Sequence, residues 1–186
     1  EAKEVKRLIA NRTAEQEKSI ADHDEVPFYA IKKYCDDNKM MFHKDEFKDI
    51  IYGATDTINY FKDKFDRKRP IEVDKTLDTS PSKTDKTPSY PSGHAAQSRI
   101  VARYVAGKFP EHEANLIEAG NECGYGRVLA GFHYPSDYEA GNLLGEKMYK
   151  LMNKENYIKE MKTFKTFMES IIDIPRSTYA PGVFDG

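Results

Sequence analysis

The sequence predicts an all-α protein, a single domain built as a bundle of about six or seven helices. Three observations lead to this prediction. Apolar residues recur every three or four positions along most of the chain, and no segment shows the strict alternation that is typical of a strand. The third observation is the composition: 12 Tyr and 10 Phe among 186 residues supply bulky core material, although 32% of the residues are charged.

The first half of the chain contains three predicted helices. Residues 3–18 are amphipathic, which fits either a helix laid on the domain or a frayed arm within residues 1–25. Residues 27–38 begin with a proline, which is favoured in the first turn of a helix. The strongest helix spans residues 44–65, where apolar side chains form a continuous stripe: Phe47, Ile50, Ile51, Ala54, Ile58, Phe61 and Phe65.

A long loop separates these helices from the rest of the chain. Residues 70–91 hold four prolines among many Thr, Ser, Lys and Asp, a composition that neither a helix nor a central strand tolerates. A loop of about twenty residues in a small domain tends to be functional or disordered. Further helices are predicted at 93–109, at 111–132, from Pro135 to about Leu151, and at 155–173, before a polar tail at 174–186.

Composition and charge exclude several classes of protein. The 29 Lys and Arg against 31 Asp and Glu give a net charge of −2, so we expect no general attraction to nucleic acid. No apolar run approaches the roughly 18 residues of a membrane-spanning helix, so an integral membrane protein is not expected. The two cysteines, Cys35 and Cys123, fit either one disulfide or two buried thiols. Because the chain begins with Glu1 rather than Met, it is expected to be either a processed product or a piece of a longer chain, and processing would favour a periplasmic or secreted location over the cytoplasm.

Two segments could bind an anion. Residues 62–70 carry five basic and two acidic side chains, a formal charge of +3, at the end of the strongest helix. They fit a solvated helix end or an anion clamp, in which Arg69 offers a planar fork and Lys62 a point charge. Further along, Ser92, Gly93 and His94 stand where a helix begins, which fits either a plain cap or an anion site built from backbone N–H groups.

A third segment pairs a histidine with a carboxylate. His133 and Asp137 are four positions apart, so on one helical turn the carboxylate can orient the imidazole, and Arg127 adds a nearby cation. A capped helix start explains the same residues. A zinc site does not, because these two side chains are too few ligands. The segment 22–24, Asp-His-Asp, is interpreted as a solvated turn rather than a metal site.

Taken together, these motifs resemble the type 2 phosphatidic acid phosphatase (PAP2) superfamily, which includes bacterial class A acid phosphatases and vanadium haloperoxidases. The resemblance consists of Lys62-x6-Arg69-Pro70, then Pro91-Ser92-Gly93-His94, then Arg127-x5-His133-x3-Asp137, in this order. The stretch from Ser89 to His94 looks most like the soluble class A enzymes. One position departs from the family, because Gly126 stands where a serine commonly precedes the arginine, and we expect only a modest effect on Arg127.

The resemblance implies a soluble, metal-independent phosphatase that hydrolyses phosphate monoesters. His133 would be the nucleophile that becomes a phosphohistidine, Asp137 would orient it, and a protonated His94 would be the general acid. The groups that would bind the phosphoryl oxygens are Lys62, Arg69, Arg127, Ser92 and the backbone of Gly93. No cofactor is implied, and vanadate would be an inhibitor. The loop 71–90 and residues near 22–43 would shape the leaving-group pocket.

Two other functions fit the same motifs. A vanadate-dependent haloperoxidase would hold vanadate on His133 as a prosthetic group, although such enzymes are generally much larger. A non-catalytic anion-binding or structural protein would keep the pocket without turnover. The partner expected from the leading hypothesis is a small phosphate ester, with a lipid phosphate included and nucleic acid excluded. The aromatic-rich helices could also bury a homo-oligomer face.

Overall fold

The computed structural model describes residues 1–41 and 44–152. This part of the chain is helical and contains no strand, so the all-α prediction is confirmed. The α-helices are α1 (Ala2–Ala10), α2 (Ala14–His23), α3 (Tyr29–Asp37), α4 (Lys44–Phe65), α5 (Pro70–Val73), α6 (Gly93–Lys108), α7 (Glu113–Leu129) and α8 (Pro135–Met152). A single 3-10 turn, Pro110–His112, joins α6 to α7. The helix predicted at 155–173 and the tail at 174–186 lie outside the described residues.

Helix α6 lies at the centre of the bundle, against α4, α7 and α8. One core cluster fills the space between α4, α6 and α8, with Ile58, Phe61, Ile100 and Leu144 among its members. A second cluster joins α3, α4, α6 and α7. Both Cys35 and Cys123 are buried free thiols, so the alternative of two thiols is the correct one.

Glycines allow α8 to approach the first turn of α6 closely. A methyl group added at Gly141 would lie 2.5 Å from the carbonyl oxygen of Ser92, and one at Gly145 would lie 2.5 Å from that of Ala96. Such distances are well inside van der Waals contact, so a larger residue would push the helices apart. The helix that carries Asp137 is therefore held against the N-terminus of α6.

The N-terminal residues form two helices instead of the single helix predicted for 3–18. The chain breaks before α2 because Thr13 caps it: the backbone N–H of Gln16 donates to Thr13 Oγ1 at 3.2 Å, and Gln16 Oε1 accepts from the N–H of Thr13 at 3.0 Å. Helix α1 packs on the rest of the protein through Val5 and Ile9, so the frayed arm is not what the structure shows.

Other boundaries also differ from the sequence-based prediction. The segment 70–91 is not entirely loop, because Pro70 starts the short helix α5 and Glu72 accepts a hydrogen bond from the N–H of Arg69 at 2.7 Å. Helix α7 ends at Leu129, not at residue 132, because Gly131 adopts a φ of +82° that turns the chain away. None of the helices in the described ranges is both long enough and apolar enough to cross a membrane.

Candidate active site

The three sequence motifs meet at one cavity of about 350 Å³. Lys62 reaches it from the end of α4, Arg69 from the start of α5, Gly93 and His94 from the first turn of α6, and His133 from the turn before α8. Two larger grooves, of about 650 and 660 Å³, lie along α2 and α7, and none of the predicted site residues lines them. The smaller cavity is the candidate active site because the chemistry-bearing side chains converge there.

His133 is a buried imidazole with its two nitrogens in different surroundings. Nδ1 lies 3.4 Å from Asp137 Oδ2 and 3.4 Å from Ser89 Oγ. Nε2 lies on the opposite side, 3.5 Å from Arg69 Nη1. A carboxylate accepts from Nδ1–H, so the neutral ring keeps its lone pair on Nε2. Burial, and then repulsion by Arg69 and Lys62, lower the pKa of His133 well below its usual value, so the ring is neutral at pH 7.

Asp137 is completely buried and is held by donors from three segments. Arg67 Nη1 donates to Oδ1 at 2.6 Å, Ser89 Oγ donates to Oδ2 at 2.5 Å, and the N–H of Tyr134 donates to Oδ2 at 2.9 Å. Burial raises the pKa of Asp137, and Arg67 and Ser89 oppose that rise. This carboxylate is therefore fixed in place before it orients His133.

Lys62 and Arg69 are buried basic side chains that donate hydrogen bonds to the long loop, and Arg69 Nη1 also donates to the carbonyl of Phe132 at 3.0 Å. Lys62 Nζ donates to the carbonyl of Pro88, and Arg69 Nε donates to that of Thr87 at 2.7 Å. Burial lowers the pKa of Lys62 to about 7 and that of Arg69 to about 10, and repulsion from neighbouring cations adds to both shifts. Two desolvated like charges at one cavity wall favour an anion between them.

Arg127 lies behind the cavity and is tied to the segment 22–24. Its Nη1 donates to Asp24 Oδ1 at 2.6 Å, and its Nη2 donates to Thr84 Oγ1 at 2.9 Å. Its Nε is buried and has no hydrogen-bond partner among the described residues, although a buried donor is normally satisfied. The solvated turn predicted for this segment is wrong: Asp24 is 7% exposed and His23 is 2% exposed, because Arg127 holds the carboxylate inside.

His94 lines the cavity next to the same segment. Its Nε2 lies 2.9 Å from the carbonyl oxygen of Asp24, which can only accept, so Nε2 carries the hydrogen and Nδ1 is left to exchange a proton. Burial, and then Arg127, lower the pKa of His94 to about 3. In the protein alone this ring is therefore neutral at pH 7, whereas the sequence-based expectation was a protonated ring. A bound dianion would raise this pKa, because it favours the charged form.

Ser92 and Gly93 occupy the N-terminus of α6. Ser92 Oγ accepts from the N–H of Ala95 at 3.4 Å, and the N–H of Ser92 donates to the carbonyl of Asp137 at 2.9 Å. Ser92 is buried and does not line the cavity, whereas Gly93 does. The structure thus places Ser92 as the cap that joins α6 to α8, and Gly93 in the lining of the cavity.

Three contributors to the site were not predicted as site residues. Arg67 belongs to the basic segment 62–70, and Ser89 belongs to the stretch that resembles class A enzymes, so a local signal existed for both. Asp24 belongs to the segment that was interpreted as a solvated turn, and no local signal pairs it with Arg127, which lies about one hundred positions later. Within the described ranges, no three His, Cys, Asp or Glu side chains are arranged to hold a metal ion.

Comparison with known proteins places this arrangement in a family. The model of the PAP2 superfamily matches residues 50–154, more than half of the chain. An acid phosphatase of Zymomonas mobilis subsp. mobilis is 35% identical over 92 residues, which cover 48% of this chain and 35% of that protein. The non-specific acid phosphatase of Salmonella typhi is 42% identical over 57 residues, or 31% of this chain and 23% of that protein. That of Providencia stuartii is 36% identical over 62 residues, or 33% and 25% of the two chains. The matches thus span about a third or less of these relatives.

Proposed function

This chain belongs to the PAP2 superfamily, and we propose that it hydrolyses phosphate monoesters through a phosphohistidine formed on His133. The observation that carries the proposal is the position of His133 Nε2, a neutral and buried nitrogen beside Arg69 at the wall of the cavity. Phosphoryl transfer needs positioning and charge stabilisation more than covalent help from the protein, and this site offers both. The names of the relatives, acid phosphatases, support the same activity.

In the first step, the lone pair of His133 Nε2 attacks phosphorus and the ester P–O bond breaks. The leaving oxygen takes a proton from Nδ1 of His94, which has become protonated beside the bound dianion. Asp137 stabilises the positive charge that develops on His133, through Nδ1–H. The products of this step are the free alcohol and a phosphoryl group bonded to His133.

In the second step, water attacks the phosphoryl group from the side that the alcohol has left. Nδ1 of His94 takes a proton from this water, the P–N bond breaks, and its electron pair returns to His133 Nε2. Inorganic phosphate then leaves, and the protein regains its starting protonation state. Through both steps Lys62 and Arg69, which line the cavity, offset the negative charge on the phosphoryl oxygens, and Arg127, which does not line it, adds its positive charge to the same region. We therefore propose that no metal ion takes part.

The activity is tested with an aryl phosphate and purified protein. We expect release of phosphate that persists in EDTA and is inhibited by vanadate. His133→Ala should abolish turnover, and His112→Ala, on the 3-10 turn, is the matched control. Loss of activity in EDTA would reject the metal-independent mechanism.

The intermediate is tested separately. Labelled substrate followed by an alkaline quench should leave phosphate bound to the wild-type protein and not to His133→Ala. A His133→Ala variant with normal rates would reject the nucleophile assignment.

A further inference from the structure

We propose that the site selects monoesters with a long, flat and uncharged leaving group, and that one face of α4 binds that group. This inference rests on the proposed function, since it names the substrate class of the same cavity. It comes from how the cavity is lined beyond the phosphate-binding end. The residues that α4 contributes are Ile51, Tyr52, Thr55, Ile58, Asn59 and Lys62.

These positions form a single strip along the helix. Ile51, Thr55, Ile58 and Lys62 follow steps of four, three and four, so they lie on one face, and Tyr52 and Asn59 border it. Lys62 marks the phosphate-binding end. At 1.5 Å per residue, Tyr52 stands about 15 Å further along the axis and Thr55 about 10 Å. A leaving group that follows α4 must therefore be extended to reach Tyr52.

The far part of the strip is apolar. Tyr52 is 71% exposed, Ile51 is half-buried, and the apolar Pro27 also lines the cavity. An exposed aromatic ring beside aliphatic surface gains free energy when a flat apolar group covers it. The hydroxyl of Thr55 donates to the carbonyl of Ile51 at 2.8 Å, so its polar group is already used within the helix.

The charges along the cavity disfavour an anionic leaving group. Among the described lining residues, the basic side chains are Lys62 and Arg69, both at the phosphate-binding end. The outer part carries Glu25, an exposed carboxylate that pairs with Lys83, a side chain outside the lining. A second phosphate or a carboxylate on the leaving group would meet the carboxylate of Glu25, and no Lys or Arg among the described lining residues lies beyond Lys62 and Arg69.

The length of the leaving group is tested by comparing phenyl phosphate with biphenyl-4-yl phosphate. We expect the longer ester to have the higher kcat/KM. Tyr52→Ala should lower the biphenyl-to-phenyl ratio about three- to tenfold, because part of the apolar contact is lost. Tyr60→Ala is the matched control, since Tyr60 lies on α4 and does not line the cavity. An unchanged ratio in Tyr52→Ala would overturn the assignment of the strip.

Charge selection is tested with biphenyl-4-yl phosphate and its 4′-carboxylate. These leaving groups have nearly the same shape and differ by one remote charge. We expect the neutral ester to be preferred, and Glu25→Gln to reduce that preference. Equal use of both esters by the wild-type protein would overturn the charge argument.

Binding is measured separately from turnover with phenylphosphonate and biphenyl-4-ylphosphonate, which are not hydrolysed. The ratio of their two affinities is compared with the ratio of the kcat/KM values of the esters. A protein that binds the longer phosphonate more tightly without turning over any ester would contradict the proposed function and support this inference. Turnover of all esters without selectivity would support the proposed function and contradict this inference. Failure to bind either phosphonate would contradict both.

Discussion

At the level of single residues, Arg67 shows how Asp137, the partner of His133, is held. Its guanidinium stacks 4.0 Å from the ring centre of Tyr134 and donates both to Asp137 and, at 2.7 Å, to Ser136 Oγ. Such a planar fork satisfies several acceptors at once, which an ammonium group does not. In the proposed mechanism, Arg67 is therefore a positioning residue that acts on His133 through Asp137.

Replacement of Arg67 by Gln is expected to lower kcat about 10- to 100-fold, because Asp137 stays buried without its ionic partner. The pKa of Asp137 then rises further, so the acidic limb of the kcat profile should move to higher pH. Lys68→Gln, an exposed neighbour in the same basic segment, is the control. An unchanged pH profile in Arg67→Gln would contradict the positioning role.

Asp24 is the second residue whose removal is informative. Asp24→Asn should lower the free energy of unfolding by about 3 kcal/mol, because Arg127 remains buried and charged without a carboxylate. Phosphate can replace part of that lost charge, so saturating phosphate should raise the Tm of this variant more than that of the wild type. Thermal unfolding with and without phosphate measures both effects.

Asp22→Asn is the control for Asp24, since that side chain is two positions away and is not completely buried. We expect its stability to stay within about 0.5 kcal/mol of the wild type. If phosphate raised the Tm of Asp24→Asn and of the wild type equally, the link between Asp24 and the anion site would be rejected.

At the level of helices, the contact between α6 and α8 joins the second and third motifs of the site. Gly141 provides that contact, whereas a methyl group at Gly53 of α4 would meet no atom within 4 Å. Gly141→Ala should therefore destabilise the protein by about 1–3 kcal/mol and lower kcat, because it moves Ser92 away from Asp137. Gly53→Ala should stabilise it by about 0.5–1 kcal/mol without affecting the site. Chemical denaturation and kcat measure the difference, and normal activity in Gly141→Ala would show that the close approach is not needed.

For the whole molecule, buried neutral histidines predict a loss of stability in acid. The pKa values of His23, His94 and His133 are all lowered, mainly by burial. Below pH 6.5 the unfolded chain binds protons that the folded protein does not, so stability falls as the pH falls, down to about pH 3 for His94. At pH 5, each ring that stays neutral in the folded protein lowers the free energy of unfolding by about 2 kcal/mol relative to its value at neutral pH.

Urea unfolding at pH 7 and pH 5 measures this loss. Phosphate should make the loss of stability between pH 7 and pH 5 smaller, because the bound anion raises the pKa of His94. A free energy of unfolding that is higher at pH 5 would contradict the assignment of these rings as neutral.

Activity should also fall on the alkaline side. The pKa of Lys62 is about 7 because of burial and repulsion by Arg69, so kcat/KM should decline as the pH rises through 7 and the ammonium loses its charge. Lys62→Arg should move this alkaline decline to higher pH, because a guanidinium stays charged. A decline that is caused by ionisation of the substrate would stay at the same pH in the variant. An identical alkaline limb in both proteins would exclude Lys62 as its source.

The amino-acid sequence by itself determined the helical class, the main helices α4, α6 and α8, and the groups that carry the proposed chemistry. Apolar periodicity and helix starts are local properties, and Lys62, Arg69, His94 and His133 each stand at a local signal. The sequence did not predict the break at Thr13, where a cap outweighs a continuous amphipathic pattern. It predicted Asp137 as the partner of His133, which is four positions away, but not the partners that are distant in sequence.

Only the tertiary structure decided that Asp24 holds Arg127, that Arg67 holds Asp137, and that His94 is neutral in the protein alone. Partners such as Asp24 and Arg127 are brought together by helix packing rather than by sequence spacing. The pKa of His94 depends on burial, which is a property of the assembled bundle. The chemistry is thus readable from local motifs, whereas the protonation states that permit it depend on what the fold places around them.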